Sequence, residues 1–274
     1  MAISIFLLQF DVPNLIFICR LFQGYSAGYN WLSIYLVEDY TKTGIVLGFY
    51  HFGTILGPFM SPYIKYLAIG DILLMITSLL YTQRRIEIKS VVSLKKDPHL
   101  LHATLIFFLQ LFMFNGMLPV LSLYLHDLKT PDNEISMYFM IISLPNIVLS
   151  IVSGYFTDRY DSRIVIFVGM FWNIGCVVFF FNLPILFGIL SISASFGWLL
   201  TSVPSLLTSE RLPIFIWYNT VIGIAYGTTP LLAFIYKRHH LKGVATTYLL
   251  CVIIMIVVHL AYWNVKSKVR KVIV

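Results

Sequence analysis

Charged residues are scarce in this chain: aspartate, glutamate, lysine and arginine together make up 11% of its 274 residues. A soluble domain carries about 25%. The deficit excludes a soluble enzyme, a disordered chain and a nucleic-acid-binding domain, because each of these needs a larger share of charged residues. Hydrophobic residues reach 59% instead, and the mean hydropathy is +0.85. The composition therefore predicts a polytopic membrane protein.

Cysteine and enzyme signatures are also nearly missing. Cys19, Cys176 and Cys251 fall within apolar runs and form no CxxC pair, so no disulfide framework is predicted. The patterns GxSxG, GxxxxGK[ST] and HExxH are absent. His239 and His240 stand beside basic residues without carboxylate or cysteine partners. We expect no enzyme activity, no cofactor and no metal site.

Long apolar runs fill the chain instead. A fragment at residues 2–10 is half a span, and each later run has about the 20 residues that cross a bilayer. The runs are continuous rather than alternating, which favours helices over barrel strands. They lie near residues 14–36, 43–65, 67–82, 101–125, 135–157, 164–182, 184–207, 213–236 and 244–263.

Basic residues predict the orientation, because loops rich in lysine and arginine stay in the cytoplasm. Of the 19 basic residues, thirteen fall in one set of alternate loops and the C-terminal tail, five in the opposite set, and Arg20 within a span. The long connection before residue 100 and the C-terminus are thus predicted to be cytoplasmic. Lys237, Arg238 and Lys242 form the clear exception. The net charge of +7 is mainly a topology signal, and nucleic acid is not an expected partner.

Three short stretches carry motifs. An RxxQG pattern occurs in RLFQGYSAG at residues 20–28, a GxxxGP pattern in GTILGPFMSP at 53–62, and a GxxxDR pattern in GYFTDRYDSR at 154–163. Together they resemble motifs of the major facilitator superfamily, and within it of the drug/proton antiporter-like exporters. The resemblance covers nearly the whole chain, because the three motifs occur in the order and spacing of that family.

The resemblance implies an all-α polytopic helix bundle with about nine transmembrane helices and a partial one, helices 3/4 to 12 of a twelve-helix fold. Residues 1–83 would form a partial N-terminal bundle (end of helix 3, helices 4–6). Residues 84–100 would be a cytoplasmic central loop, and residues 101–274 a C-terminal six-helix bundle (helices 7–12). On this register helices one, two and most of three would be missing, so we expect a chain that is N-terminally truncated or split, or one whose start is assigned too late.

The implied function is export of a small molecule by alternating access, with proton coupling in the full-length form. The alternative is a truncated, non-transporting membrane remnant or an assembly partner of another membrane chain. We expect an integral protein of the plasma membrane, whose partners are the lipid bilayer, an unidentified small-molecule substrate and protons. Aromatic residues, 16% of the chain, favour an apolar or amphiphilic substrate.

Coupling candidates lie on the helix of the first motif and on the following one. Arg20 is roughly 10 Å into its helix at 1.5 Å per residue, and a guanidinium at that depth usually faces a cavity or a partner. Snorkelling to the interface is the alternative. The resemblance assigns proton coupling to this motif, which includes Gln23 and Gly24. His51 is a titratable candidate, or else a satisfied core histidine.

Glycine pairs predict close helix contacts. Gly53 and Gly57 precede Pro58, which removes a backbone donor and kinks the helix, so this segment is a candidate gating helix. Ordinary small-residue packing is the alternative. Gly223 and Gly227 repeat the spacing in the second half of the chain, again in the span before the last, which suggests an internal repeat of the kind from which many transporters are built.

The third motif predicts a cytoplasmic latch loop. An acid at the end of a span can bind the N-terminus of a neighbouring helix and an arginine, whereas simple loop solvation is the alternative. The candidate latch residues are Gly154, Asp158, Arg159 and Arg163. Four amides within spans are cavity candidates, although interhelical hydrogen bonds are the other interpretation of each. They are Gln110, Asn115, Asn146 and Asn219.

Overall fold

The computed structural model describes residues 40–45, 47–48, 97–175, 185–207 and 211–263. Within these ranges the chain is helical and has no β-strand. Four of the described helices are long and apolar enough to cross a membrane, and a shorter apolar helix accompanies them. The all-helical prediction is confirmed for this part of the chain. The total of nine spans stays a prediction, because the first three predicted runs lie mostly outside it.

Five helices follow one another with short connections. They are α1 (Leu100–Asp127), α2 (Asp132–Arg159), α3 (Ser162–Phe171), α4 (Ile185–Ser202) and α5 (Arg211–Ala261). Only two residues join α2 to α3, and the Asp161 carboxylate caps α3 by accepting a hydrogen bond from the Arg163 amide. A 3-10 helix, Val203–Leu206, extends α4. The predicted runs between 101 and 263 all fall on these helices where they are described.

The last two predicted runs form two helices that meet at a sharp turn, and we describe them together as α5. α5 is broken only at His240, where φ is 55° and ψ is −159°. We call residues 211–239 the first arm and residues 241–261 the second arm. Gly243 makes the turn possible, because a Cβ at this position would overlap the side chain of His239. The sequence predicted the two segments but not that a single residue would separate them.

Contacts with α1 show how the two arms run. In the first arm, Trp217 donates to Thr104 near the start of α1, and Tyr236 donates to Asp127 at its end. The first arm is therefore parallel to α1. The second arm runs back, since its His259 lies near the start of α1. We call the end of the bundle with Asp127 and His240 the hairpin end, and the opposite end the tail end.

α4 completes the arrangement by packing on α1, α2 and α3. It is parallel to α2, because successive α2 hydroxyls of Ser150 and Ser153 bind the carbonyls of Gly197 and Trp198. The directions of the helical segments therefore alternate along the chain. Such alternation is what consecutive membrane-spanning helices require.

The core lies around α1. Phe114 stacks on Phe196 of α4 with ring centroids 4.0 Å apart, and Tyr248 of the second arm donates to the Met113 carbonyl at 2.7 Å. Within a bilayer, close packing and interhelical hydrogen bonds hold helices together, because lipid chains are as apolar as the helix surface. α1 is therefore fixed on several sides by both kinds of contact.

Glycines mark one of the closest helix contacts. A Cβ at Gly197 of α4 would lie 2.7 Å from the Cα of Asn146 in α2. The repeated pair Gly223 and Gly227 makes no close contact within the described part of the chain. Both glycines are exposed there, and no described atom lies within 4 Å of a Cβ built on either. A helix contact at this pair stays a prediction.

The contrast between these glycines is testable. We expect Gly197→Ala to lower the melting temperature in detergent, because overpacking costs about 1–3 kcal/mol. The matched change Gly223→Ala adds the same methyl group where no described atom lies within 4 Å. It is expected to leave the melting temperature unchanged or raise it, since alanine favours helix over glycine by about 1 kcal/mol. Equal melting temperatures for the two variants would contradict the α2–α4 contact.

Candidate functional site

The end of α2 contacts the helical segment 40–45. The Asp158 carboxylate accepts hydrogen bonds from the backbone amides of Tyr40 at 3.1 Å and Thr41 at 2.7 Å, and from the Thr41 hydroxyl at 2.6 Å. Only amides in the first turn of a helix lack an intrahelical acceptor, so these donors belong to a helix N-terminus. Charge-assisted hydrogen bonds and the helix dipole both favour a carboxylate at this place.

Glycines allow α2 and the segment to approach each other. A Cβ at Gly154 would overlap the Tyr40 carbonyl oxygen, and a Cβ at Gly44 would overlap the carbonyl oxygen of Ser150. Gly48, one turn further on, also faces α2. Gly44 and Gly48 have GxxxG spacing, so a signal for this contact is present in the sequence. The pair predicted to make a close contact in this region is a different one, Gly53 and Gly57. We call the contact around Asp158 and Gly154 the α2 latch.

The two predicted arginines of the latch loop contact other groups. The Arg159 guanidinium lies over the Tyr155 ring, 3.5 Å from its centroid. Arg163 pairs with Asp161 at 2.6 Å and donates to the Trp263 carbonyl at 2.6 Å. Arg163 thus connects the start of α3 to the end of α5. The latch hypothesis also gave the acid an arginine as partner. In the described ranges Arg159 contacts Tyr155, and Arg163 contacts Asp161 and Trp263.

Asp161 keeps its charge in this connection. The side-chain hydrogen bond from Arg163 lowers the pKa of the Asp161 carboxyl below its usual 3.8. A lowered pKa means that the pair contributes to stability above the pKa of the unfolded chain. That contribution is lost as the pH falls through the folded-state pKa. The connection therefore persists across the physiological pH range.

Gln110 is the centre of a buried polar network. It is 1% exposed. Its Oε1 accepts from the Asn173 amide at 2.6 Å and lies 3.2 Å from the Ser195 hydroxyl, and its Nε2 donates to the Ile192 carbonyl at 3.4 Å. The network joins α1 to α4 and to the turn that follows α3. The structure thus engages Gln110 in interhelical hydrogen bonds.

Asn146 of α2 makes a comparable hydrogen bond with another face of α4. Its Oδ1 accepts from the Ser193 hydroxyl at 2.9 Å, and it shares a face of α2 with Ser150 and Ser153. The other two predicted amides differ from it. Asn115 is 4% exposed, and its amide nitrogen has no hydrogen-bond partner in the described ranges, while Asn219 is half-buried on the first arm.

Two buried histidines were not predicted to form a site. Nε2 of His102 lies 3.0 Å from Nδ1 of His259, whose Nε2 lies 2.9 Å from the Arg163 carbonyl oxygen. A carbonyl only accepts, so Nε2 of His259 carries a hydrogen, and in a neutral pair Nδ1 of His259 accepts from Nε2 of His102. The two residues are 157 positions apart, and no local sequence pattern relates them.

The remaining candidates fall outside the described part of the chain: Arg20, Gln23, Gly24, His51, Gly53, Gly57 and Pro58. Their roles stay predictions. Among the residues that are described, no group of three histidine, cysteine, aspartate or glutamate side chains has a geometry that would hold a metal ion.

Comparison with known proteins gives a family match. A family model described as Major Facilitator Superfamily matches residues 92–273, a range that includes α1 to α5. No curated protein matches the chain. The matched range contains Asp158, Gln110 and the histidine pair, whereas Arg20 and Gly53 precede it.

The Gln110 network is open to a double-mutant test. We expect Gln110→Leu to lower the free energy of unfolding in a detergent titration, because Asn173 loses its acceptor. Interhelical hydrogen bonds in membrane proteins contribute about 0.6 kcal/mol on average and up to about 1.7. Asn173→Leu should cost less in the Gln110→Leu background than alone. Additivity within about 0.3 kcal/mol would contradict the contact.

Proposed function

Because the chain belongs to the major facilitator superfamily, whose members are transporters and not enzymes, we propose that it exports small molecules from the cell by alternating access. The family match confirms the superfamily predicted from the sequence motifs. Together with the apolar helices it identifies an integral membrane protein. Export, proton coupling and placement in the plasma membrane belong to the proposal.

The α2 latch is the observation that supports it best. Alternating access requires two groups of helices to separate at one end while they close at the other. Asp158 belongs to the predicted C-terminal bundle, and segment 40–45 to the predicted N-terminal one. Their contact uses a carboxylate against backbone amides at a helix end, so it can break and reform without unfolding either helix.

The orientation of the latch follows from the basic residues. The excess of lysine and arginine in the loops at the tail end favours a cytoplasmic tail end. In that orientation the bonds from Tyr40 and Thr41 to Asp158 close the protein towards the cytoplasm. Substrate would then leave towards the opposite side, as export requires.

Coupling and substrate binding are proposed for other residues. The exporter-like motifs assign proton coupling to Arg20, Gln23 and Gly24, with His51 as a further titratable group, and the gating helix to Gly53, Gly57 and Pro58. Asn115 is a candidate donor to substrate, because its buried amide nitrogen has no described partner. The aromatic content favours an amphiphilic substrate.

The latch can be tested by a distance measurement. Spin labels at Ile45→Cys and Ile164→Cys, both exposed positions, would report the separation across the latch in a background without native cysteines. We expect Asp158→Asn to shift the population towards longer distances by about fivefold, since a charged acceptor contributes about 1 kcal/mol more than a neutral one.

Asp161→Asn is the matched control. It removes a carboxylate three positions away that contacts Arg163 and not segment 40–45, so its distance distribution should equal that of the parent. An unchanged distribution for Asp158→Asn, or the same change for both variants, would contradict the latch.

Export itself can be measured with ethidium as the amphiphilic probe. Cells that express the chain should accumulate less ethidium than cells with an empty vector, and a protonophore should abolish the difference. Asp158→Asn should reduce export and Asp161→Asn should not. Accumulation equal to the empty vector would support the non-transporting alternative. Export that persists with the protonophore would contradict proton coupling but would leave the proposal of export intact.

A further inference from the structure

Five basic or histidine side chains are grouped where the two arms of α5 meet. We call this group the basic corner: Lys237, Arg238, His239, His240 and Lys242. All five are exposed. They are brought together by the single-residue turn at His240, which places the last residues of the first arm directly beside the first residues of the second. The corner therefore concentrates positive charge at one point of the hairpin end.

No carboxylate neutralises this charge within the described ranges. The ion pair found in those ranges joins Arg163 to Asp161, and it lies at the tail end, away from the corner. Asp127, at the hairpin end, accepts a hydrogen bond from the Tyr236 phenol at 2.7 Å rather than pairing with a cation of the corner. Lys129 adds an exposed cation at the same end, and Glu134 an exposed acid. The corner is thus open to an external anion.

Topology does not explain the corner. Basic residues in short loops normally hold those loops in the cytoplasm, yet Lys237, Arg238 and Lys242 fall in the loop set with few basic residues. The turn thus carries three cations on the side of the membrane where the loops otherwise have few basic residues. A binding role gives these residues a reason that topology does not.

The depth of the corner fits the lipid headgroup region. Leu231 and Phe234 on the first arm and Leu250 on the second are exposed apolar side chains, as expected for helix surfaces in contact with acyl chains. At 1.5 Å per residue, Phe234 lies about 5 Å below Lys237 along the first arm. Cations at this height meet the phosphate groups of the adjoining leaflet.

We propose that the basic corner binds the phosphate groups of anionic phospholipids, with phosphatidylglycerol as the reference lipid. The binding requires that α5 spans the membrane but does not depend on export. Each lysine or arginine near an anionic surface contributes about fivefold in association. Three cations without an ion-pair partner among the described residues thus favour anionic over zwitterionic lipid at this point of the surface.

The test uses the whole chain in nanodiscs of phosphatidylglycerol and phosphatidylcholine. A fluorophore at Leu128→Cys, an exposed position of the hairpin end, would be quenched by either lipid carrying a headgroup spin label. We expect stronger quenching by labelled phosphatidylglycerol in the parent protein. Lys237→Gln/Arg238→Gln/Lys242→Gln should reduce that preference by about fivefold or more.

Two controls test whether the lipid preference depends on positive charge and whether the bound phosphate group belongs to a lipid. Lys237→Arg/Lys242→Arg keeps the charge and should keep the preference, and the melting temperature of each variant verifies that it folds. A preference that survives the neutral triple variant, or that is lost in the arginine variant, would overturn the proposal. Loss of the preference on adding inorganic phosphate at constant ionic strength would assign the corner to soluble phosphate and overturn the lipid assignment.

Discussion

A bilayer offers no hydrogen bonds, so every polar group within it needs a partner in the protein. The arrangement of the described helices follows from this constraint. The hydroxyls of Ser150 and Ser153 on α2 find their acceptors in carbonyls of α4. The amide of Gln110 on α1 finds its partners in Asn173 and α4. α4 is therefore the acceptor for two neighbours, and its position fixes theirs.

The same constraint explains which parts of the fold the sequence predicts. Apolar runs determine where helices form, because a span must satisfy its own backbone, and the runs after residue 100 lie on helices wherever they are described. A connection between residues 236 and 244 was predicted, but not that the turn would narrow to the single residue His240. Gly243 is the local feature that allows so short a turn, because its missing side chain leaves room for His239.

The candidate site was also predicted only in part. The motif around Asp158 predicted an acid near a helix N-terminus, and the structure has such a contact, while its role as a latch stays a proposal. Partners that depend on the third dimension were not predicted. Arg163 binds the Trp263 carbonyl at the far end of the matched range, and His102 meets His259 only because the second arm returns along α1. Residue spacing shows which side chains share a face of one helix, but it does not show which residues of another helix pack against that face.

The turn at His240 also restricts how the two arms can move. A connection of one residue leaves no slack between them, so the last turn of the first arm and the first turn of the second arm must shift together. Sliding of either arm along its axis therefore carries the hairpin end of the other arm with it. At this end of the bundle the two arms act as one mechanical unit.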